Sequence, residues 1–188
     1  MSAELKLPPH SLEAEQAVIG GLLLDNDAWD RIAGRISESD FYREDHRLLF
    51  RGIESLADAG KPRDVVTIAE WLLSHDLVDQ AGGTGYVGNL AADTPSAANI
   101  TAYADIVRER SVTRQLIAAG SEIAELGFAA EGRSVPDLLD EAEKRIFAIA
   151  DQSRQNGKGA LSLKQVLPQV VERIEYLHEN QGAFTGLA

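Results

Sequence analysis

The stretch Asn99-Ile-Thr-Ala-Tyr-Ala-Asp-Ile-Val-Arg-Glu-Arg110, with its continuation to Asp151, decides the fold. From Asn99 to about Phe128 it contains no proline, and Gly127 and Gly132 bracket a short break. A second helical pattern opens at Ser134-Val-Pro-Asp137 and runs to about Asp151. Ser134 is placed to cap that helix, with Asp137 in its first turn. Pro136 is tolerated there because the earliest helical N–H groups have no intrahelical partner. The two arms read as an antiparallel helical hairpin over residues 99–151. At 1.5 Å per residue the first arm spans roughly 40 Å, more than a small domain needs for its own core.

The apolar positions of the hairpin fall into stripes. Val112, Leu116, Ala119, Ile123 and Leu126 alternate spacings of four and three, a seam that packs on a partner helix. Ile100, Tyr103, Val107 and Ile117 form a second set on the same arm. The second arm carries Val135, Leu138, Ala142, Ile146 and Ile149, with Leu139, Phe147 and Ala150 beside them. Two stripes on one helix call for two packing partners: the other arm, and either the body of the domain or another chain. Few apolar residues elsewhere are left to cover so long a hairpin, which favours another chain.

Outward from the hairpin, every segment reads as helix. Leu7-Pro-Pro-His-Ser11 is an extended lead-in, followed by a helix from Leu12 to Leu24 with a narrow face of Ala14, Ala17, Val18, Gly21 and Leu22. Each glycine of Gly20-Gly21 weakens that helix by about 1 kcal/mol relative to alanine, a cost expected where another backbone comes close. A short helix holds Trp29 and Ile32. A longer one, from about Arg43 to Ala59, shows the face Leu48, Leu49, Ile53 and Leu56 before Gly60 and Pro62 end it. Asp64 caps a helix through Leu73. After the break at Gly82-Gly83, Thr84 is expected to cap a short helix with Tyr86, Val87 and Leu90. No stretch alternates apolar and polar residues with the period of a strand, so the fold class is all-α.

After the hairpin, residues 152–161 are polar and glycine-bearing and read as a flexible linker. Ser162-Leu-Lys-Gln165 fits a capping box. Leu163, Leu167, Val170, Ile174 and Leu177 then form one amphipathic stripe over residues 162–181, suited equally to a groove on a neighbouring chain or to docking on its own domain, with Pro168 delaying or bending the helix. The expected organisation is a helical body at 1–98, the hairpin at 99–151, the linker at 152–161, the tethered helix at 162–181, and the beginning of something further at 182–188.

Composition narrows the function. The chain has 188 residues, a formal net charge of −12, 44% hydrophobic residues and no cysteine. Disulfide and thiolate chemistry are absent, and no apolar run approaches the length that crosses a bilayer. So acidic a chain is a poor stand-alone binder of DNA, since that binding neutralises phosphates with Lys and Arg. Arg108, Arg110 and Arg114 cluster on the first arm and are expected to pair within the helix with Asp105 and Glu109. His10, His46, His75 and His178 have no metal-ligand spacing and are expected at the surface or at caps. Gly83-Thr-Gly-Tyr-Val-Gly88 matches a dinucleotide fingerprint in letters, but no strand precedes it, so it reads as an interhelical turn. Asn156-Gly-Lys-Gly159 lacks the opening glycine and closing Ser or Thr of a P-loop. These residues describe an interaction module, with no catalytic, cofactor or metal site of its own.

Several segments taken together resemble a known family. Leu7-Pro-Pro-His-Ser-Leu-Glu-Ala-Glu-Gln-Ala-Val-Ile-Gly-Gly-Leu-Leu-Leu24, Asp40-Phe-Tyr42, Gly82-Gly83, Pro95-Ser-Ala-Ala-Asn-Ile100 and Tyr103-Ala-Asp-Ile-Val-Arg-Glu109 are similar to the N-terminal region of the bacterial replicative DNA helicases of the DnaB family. Phe184-Thr-Gly-Leu187 resembles the first residues of that family's RecA-like motor. The resemblance implies a collar domain of a homohexamer that unwinds DNA 5′ to 3′ with ATP and Mg in the motor, and a cytoplasmic location with no membrane contact. It also implies self-association through the hairpins as a trimer of dimers, and recruitment of the C-terminal helicase-binding domain of primase and of a helicase loader. DNA would be contacted mainly by the motor, and the linker helix would dock on the adjacent motor through Leu167, Val170, Ile174 and Leu177. On the hairpin the expected partner contacts are Tyr103, Val107, Arg110, Arg114 and Ile117. The competing reading is a free-standing helical oligomerisation or adaptor domain with no motor role.

Overall fold

The computed structural model describes residues 7–129 and 132–157. Among them are seven α-helices, one 3₁₀ turn and no strand, in agreement with the all-α expectation. In chain order these are α1 (Leu12–Leu24), α2 (Ala28–Ile32), the 3₁₀ turn (Glu38–Asp40), α3 (Glu44–Asp58), α4 (Val65–Ser74), α5 (Thr84–Ala92), α6 (Ile100–Phe128) and α7 (Val135–Gly157).

The body is built around α1. Ala14, Val18, Ile19, Leu22 and Leu23 are buried, and α1 packs against α3, α5 and the base of α6. Ser11 caps it by accepting the N–H of Ala14. Gly20 is the point of closest approach to α5, because a Cβ there would sit 2.3 Å from the carbonyl oxygen of Leu90 and 2.0 Å from Thr94 Oγ1. The glycine pair is thus a backbone-contact surface, as its helix-weakening composition suggests. Phe50 forms the aromatic centre of the core, with Phe41 at 5.0 Å and Trp29 at 5.6 Å between ring centroids. All four residues of the expected α3 face, Leu48, Leu49, Ile53 and Leu56, are buried.

Local signals end and start the helices largely where residue chemistry places them. Gly60 leaves α3 at φ +64°, and Asp64 caps α4 by accepting the N–H groups of Val66 and Thr67, each at 2.9 Å. The start of α5 differs from expectation. Thr84 is its first helical residue, and the cap position belongs to Gly83 at φ +84°, a left-handed conformation that threonine adopts only with strain.

The helix α6 leaves the body from Ile100, Ala104 and Val107, which lie in the core, and continues outward to Phe128. Then α7 folds back along it, and Arg145 of α7 pairs with Glu122 of α6. Ala119, Ile123 and Leu126 on α6 and Leu138, Ala142 and Ile149 on α7 are buried or half-buried. At the start of α7, the Ser134 hydroxyl accepts the N–H of Asp137, while the Asp137 carboxylate accepts the Ser134 N–H and hydroxyl. Those bonds hold the Asp137 carboxyl below its usual range. Its help to the first turn is therefore present above the unfolded carboxyl value and is lost as pH falls through the depressed folded one. Replacing Ser134 by alanine is expected to cost about 1 kcal/mol in urea unfolding. The helix α7 continues to Gly157, beyond the expected end near Asp151, so the opening of the expected linker is helical. Residues 158–188, with the docking stripe Leu167, Val170, Ile174 and Leu177, lie outside the described residues.

Candidate protein-docking surface

The base of the hairpin is fastened to the body by two arginines. Arg108 Nη1 donates to Asp40 Oδ1 at 2.6 Å, and Asp40 is fully buried. The same carboxylate accepts the N–H of Ser37 at 2.8 Å through Oδ2. Arg114, one and a half turns further along α6, donates to the carbonyl oxygens of Pro9 at 2.8 Å and Asp40 at 2.6 Å. Its guanidinium lies over the ring of Tyr42, which is stacked in turn on His10 at 4.3 Å. Burial pulls the Arg114 guanidinium below its ordinary pKa, and the neighbouring Glu15 and Asp40 carboxylates oppose that. These contacts correct the expectation of pairing within the helix, because both arginines reach the body. Asp105, too, pairs outside α6, with Arg35 at 3.7 Å.

The five expected contact residues separate accordingly. Val107 is 2% exposed and belongs to the core, so it offers no surface to a partner. Arg114 is engaged by the lead-in segment and the 3₁₀ turn, which removes it from the docking set. Tyr103 is half-buried against the core and borders a cleft between α1, α5 and the start of α6. Arg110 and Ile117 are exposed.

Beyond Arg114 the character of the surface changes. Leu116, Ile117 and Phe128 on α6 and Val135, Leu139, Ile146 and Phe147 on α7 are exposed, Phe128 by 93% and Phe147 by 65%. Phe147 and Leu139 were visible in the sequence as the stripe beside the α7 seam. The structure divides the expected α7 seam: Leu138, Ala142 and Ile149 are half-buried, whereas Val135 and Ile146 of the same stripe are exposed together with Leu139 and Phe147, and Leu116 of the α6 seam is exposed too. Phe128 stands about three helical turns beyond Ile117 on the same face of α6. Large apolar side chains left exposed on a folded domain make the hairpin the candidate place of contact.

Two features of the body escaped the residue-level reading. His46 is fully buried, not at the surface, and bonds Glu15 of α1 and Tyr86 of α5. Arg43 and Asp45 form a pair beside it. Burial alone would raise the Asp45 carboxyl, but the Arg43 hydrogen bond and charge, with the hydrogen bond from the His46 backbone N–H, hold it below the usual range. Among the described residues no cluster of three metal-ligating side chains occurs, and no helix is long and apolar enough to cross a membrane.

Fold and surface together define a class: an all-helical domain that carries a long hairpin with large apolar side chains exposed on both arms. Comparison with known proteins narrows this class to one family. The model of the DnaB-like helicase N terminal domain matches residues 7–109. The replicative DNA helicase DnaB of Haemophilus influenzae is 42% identical over 188 residues, covering 99% of this chain and 40% of that protein. The replicative DNA helicase DnaC of Bacillus subtilis is 40% identical over 182 residues, covering 97% of this chain and 39% of that protein. The crystal structure of the N-terminal domain of DnaB helicase from Mycobacterium tuberculosis superposes with a TM-score of 0.72 at 38% identity, covering 76% of this chain and 99% of that one. A structure of a DnaB-like replicative helicase and its interactions with primase shares the fold, with a TM-score of 0.62 at 21% identity over 85% of this chain and 34% of that one. The chain belongs to the family of DnaB-like helicase N-terminal domains. It spans about 40% of the length of the curated replicative helicases it matches.

Proposed function

We propose that this domain is the collar and protein-docking module of a hexameric replicative DNA helicase. In this reading the ATP- and Mg-dependent motor, which unwinds DNA 5′ to 3′ and makes most of the DNA contacts, lies elsewhere in the protein, in the bacterial cytoplasm. The hairpin joins two copies of the domain, three such pairs build the collar, and the assembled surface recruits primase and a helicase loader. The observation that carries this reading is the set of large apolar side chains left exposed on the hairpin, Leu139, Ile146 and Phe147 on α7 and Leu116 and Ile117 on α6. A second copy of the same surface buries it at roughly 25 cal/mol per Å² of apolar area. The acidic balance of the chain supports protein partners over direct DNA contact.

Sedimentation of the chain across concentration tests the assembly. The wild type is expected to associate, and a Leu139→Glu, Phe147→Glu double variant is expected to remain monomeric while keeping its helical signal, since neither residue serves the core. A strictly monomeric wild type at high concentration counts against the proposal. For partner contacts, Arg110→Glu with Ile117→Asp is expected to weaken capture of the C-terminal helicase-binding domain of primase. Unchanged capture removes both residues from the contact surface.

A further inference from the structure

Three side chains from three helices form a hydrogen-bonded chain through the interior of the body. Glu15 of α1 is 1% exposed and His46 of α3 is fully buried. The Glu15 carboxylate accepts the backbone N–H of Tyr42 at 2.7 Å and of Arg43 at 3.4 Å, and lies 2.7 Å from His46 Nδ1. On the other side of the ring, His46 Nε2 lies 2.7 Å from the hydroxyl oxygen of Tyr86 on α5. The two ring planes are parallel to within 5°, with centroids 6.1 Å apart.

The donors and acceptors can be assigned by elimination. A carboxylate surrounded by N–H donors requires the His46 proton on Nδ1. In the neutral ring Nε2 is then bare, and Tyr86 must donate to it. Tyr86 also borders a cleft of about 320 Å³ with Glu13, Asn89, Asp93, Asn99 and Tyr103. With its O–H committed to His46, the Tyr86 oxygen has only lone pairs left for any further partner.

We propose that Glu15, His46 and Tyr86 form a proton-linked switch that sets whether Tyr86 presents an acceptor or a donor to this cleft. One proton taken from water onto Nε2 makes both ring nitrogens donors. Nε2–H then donates to the Tyr86 oxygen, and the phenol O–H is released towards the cleft. No heavy atom has to move, and no buried polar atom loses its partner in either state. The imidazolium forms within hydrogen-bond distance of the Glu15 carboxylate, which meets the requirement that a buried charge be paired. The other charges around the ring are few. Asp45 on α3 accepts the His46 backbone N–H at 2.9 Å and favours the imidazolium. Arg43 opposes it, with its guanidinium over the Tyr86 ring at 5.4 Å and its charge held by Asp45. From α6, the charge of Arg114 acts on Glu15. The proposal does not depend on the helicase reading, because it rests on the body alone.

Long-range ¹H–¹⁵N spectra of the 188-residue chain, labelled in its histidine rings, test it. From about pH 8 to 5, the range in which imidazole changes charge, three results are expected. At the alkaline end His46 carries its proton on Nδ1 with Nε2 bare. On acidification Nε2 gains a proton in one step, and the Tyr86 ring signals move with the same midpoint. In Tyr86→Phe, Nε2 shifts to the position of an unbonded acceptor while the proton stays on Nδ1. Glu15→Gln is expected to lower the proton affinity of His46 at least about tenfold by removing the paired carboxylate. Should Glu15→Gln fail to fold, Tyr86→Phe still decides. An alkaline-end proton on Nε2, a His46 that gains no second proton before the protein unfolds, Tyr86 signals that titrate apart from His46, or an Nε2 signal unmoved in Tyr86→Phe overturns the switch.

Discussion

Asp40→Ala is expected to destabilise the protein by about 3–5 kcal/mol, the cost of breaking a buried ion pair from one side. Asp40 is fully buried, and Arg108 is 12% exposed at its side chain. Arg108 Nε and Nη2 have no partner, so the bond from Nη1 to Asp40 is what offsets the burial of its charge. The alanine variant leaves a guanidinium in the interior with nothing to neutralise it, and also removes the acceptor of the Ser37 N–H. For a chain of this size the loss corresponds to a fall of about 10 °C in the thermal midpoint. The double variant Asp40→Ala, Arg108→Met is expected to recover much of it, because apolar groups of similar volume replace a buried pair at little cost. If Asp40→Ala alone leaves the midpoint within about 2 °C of wild type, the pair does not hold the hairpin to the body.

Gly20→Ala is the second large effect, and its sign is the informative part. Helix propensity alone predicts a gain of about 1 kcal/mol from alanine in a helix interior. Here the new Cβ would lie 2.3 Å from the Leu90 carbonyl oxygen and 2.0 Å from Thr94 Oγ1, both well inside contact distance. Thr94 cannot swing clear freely, since its hydroxyl donates to the same Leu90 carbonyl at 2.8 Å. The helices must part, and overpacking of this kind is expected to cost about 3 kcal/mol or more. Adding Thr94→Ala should return only part of the loss, because the backbone oxygen of Leu90 stays where it is. Gly120→Ala serves as the opposite control: nothing lies within 4 Å of its added Cβ, and about 1 kcal/mol of stabilisation is expected. Denaturant unfolding of the three variants separates close packing from propensity.

Much of the fold is legible in the residues because periodicity and punctuation agree. The α3 face and the capping of α4 by Asp64 follow directly from spacing and side-chain chemistry. The buried polar centre is legible too, in the helical period and not in residue type. Glu15, Val18, Ile19 and Leu22 stand at i, i+3, i+4 and i+7, and so do His46, Leu49, Phe50 and Ile53. In each set one polar residue heads an apolar stripe, and all eight side chains are buried. Reading histidine as a surface or capping residue by type hides a pairing with Glu15 that the period points to. The arginines of α6 were harder. Their partners, Asp40 and the Pro9 carbonyl, are 68 and 105 positions away. An intrahelical acid at close spacing is the natural guess when tertiary distances are unknown. The exposed apolar residues of the hairpin lie on stripes legible in the sequence, but which members face out depends on how the two arms rotate about each other, and no single-helix pattern contains that.

The anchoring of α6 also has a mechanical consequence. Its base is gripped at Arg108 and Arg114, and from Arg114 to Phe128 the rod runs on for roughly 20 Å. Such a rod is a lever whose fulcrum is the contact with the lead-in segment and the 3₁₀ turn. A tilt of about 10° at that fulcrum swings the tip by about 3–4 Å over the length set by the helical rise. Pro9 and Asp40, far in sequence from the apolar tip, thereby govern where the tip points.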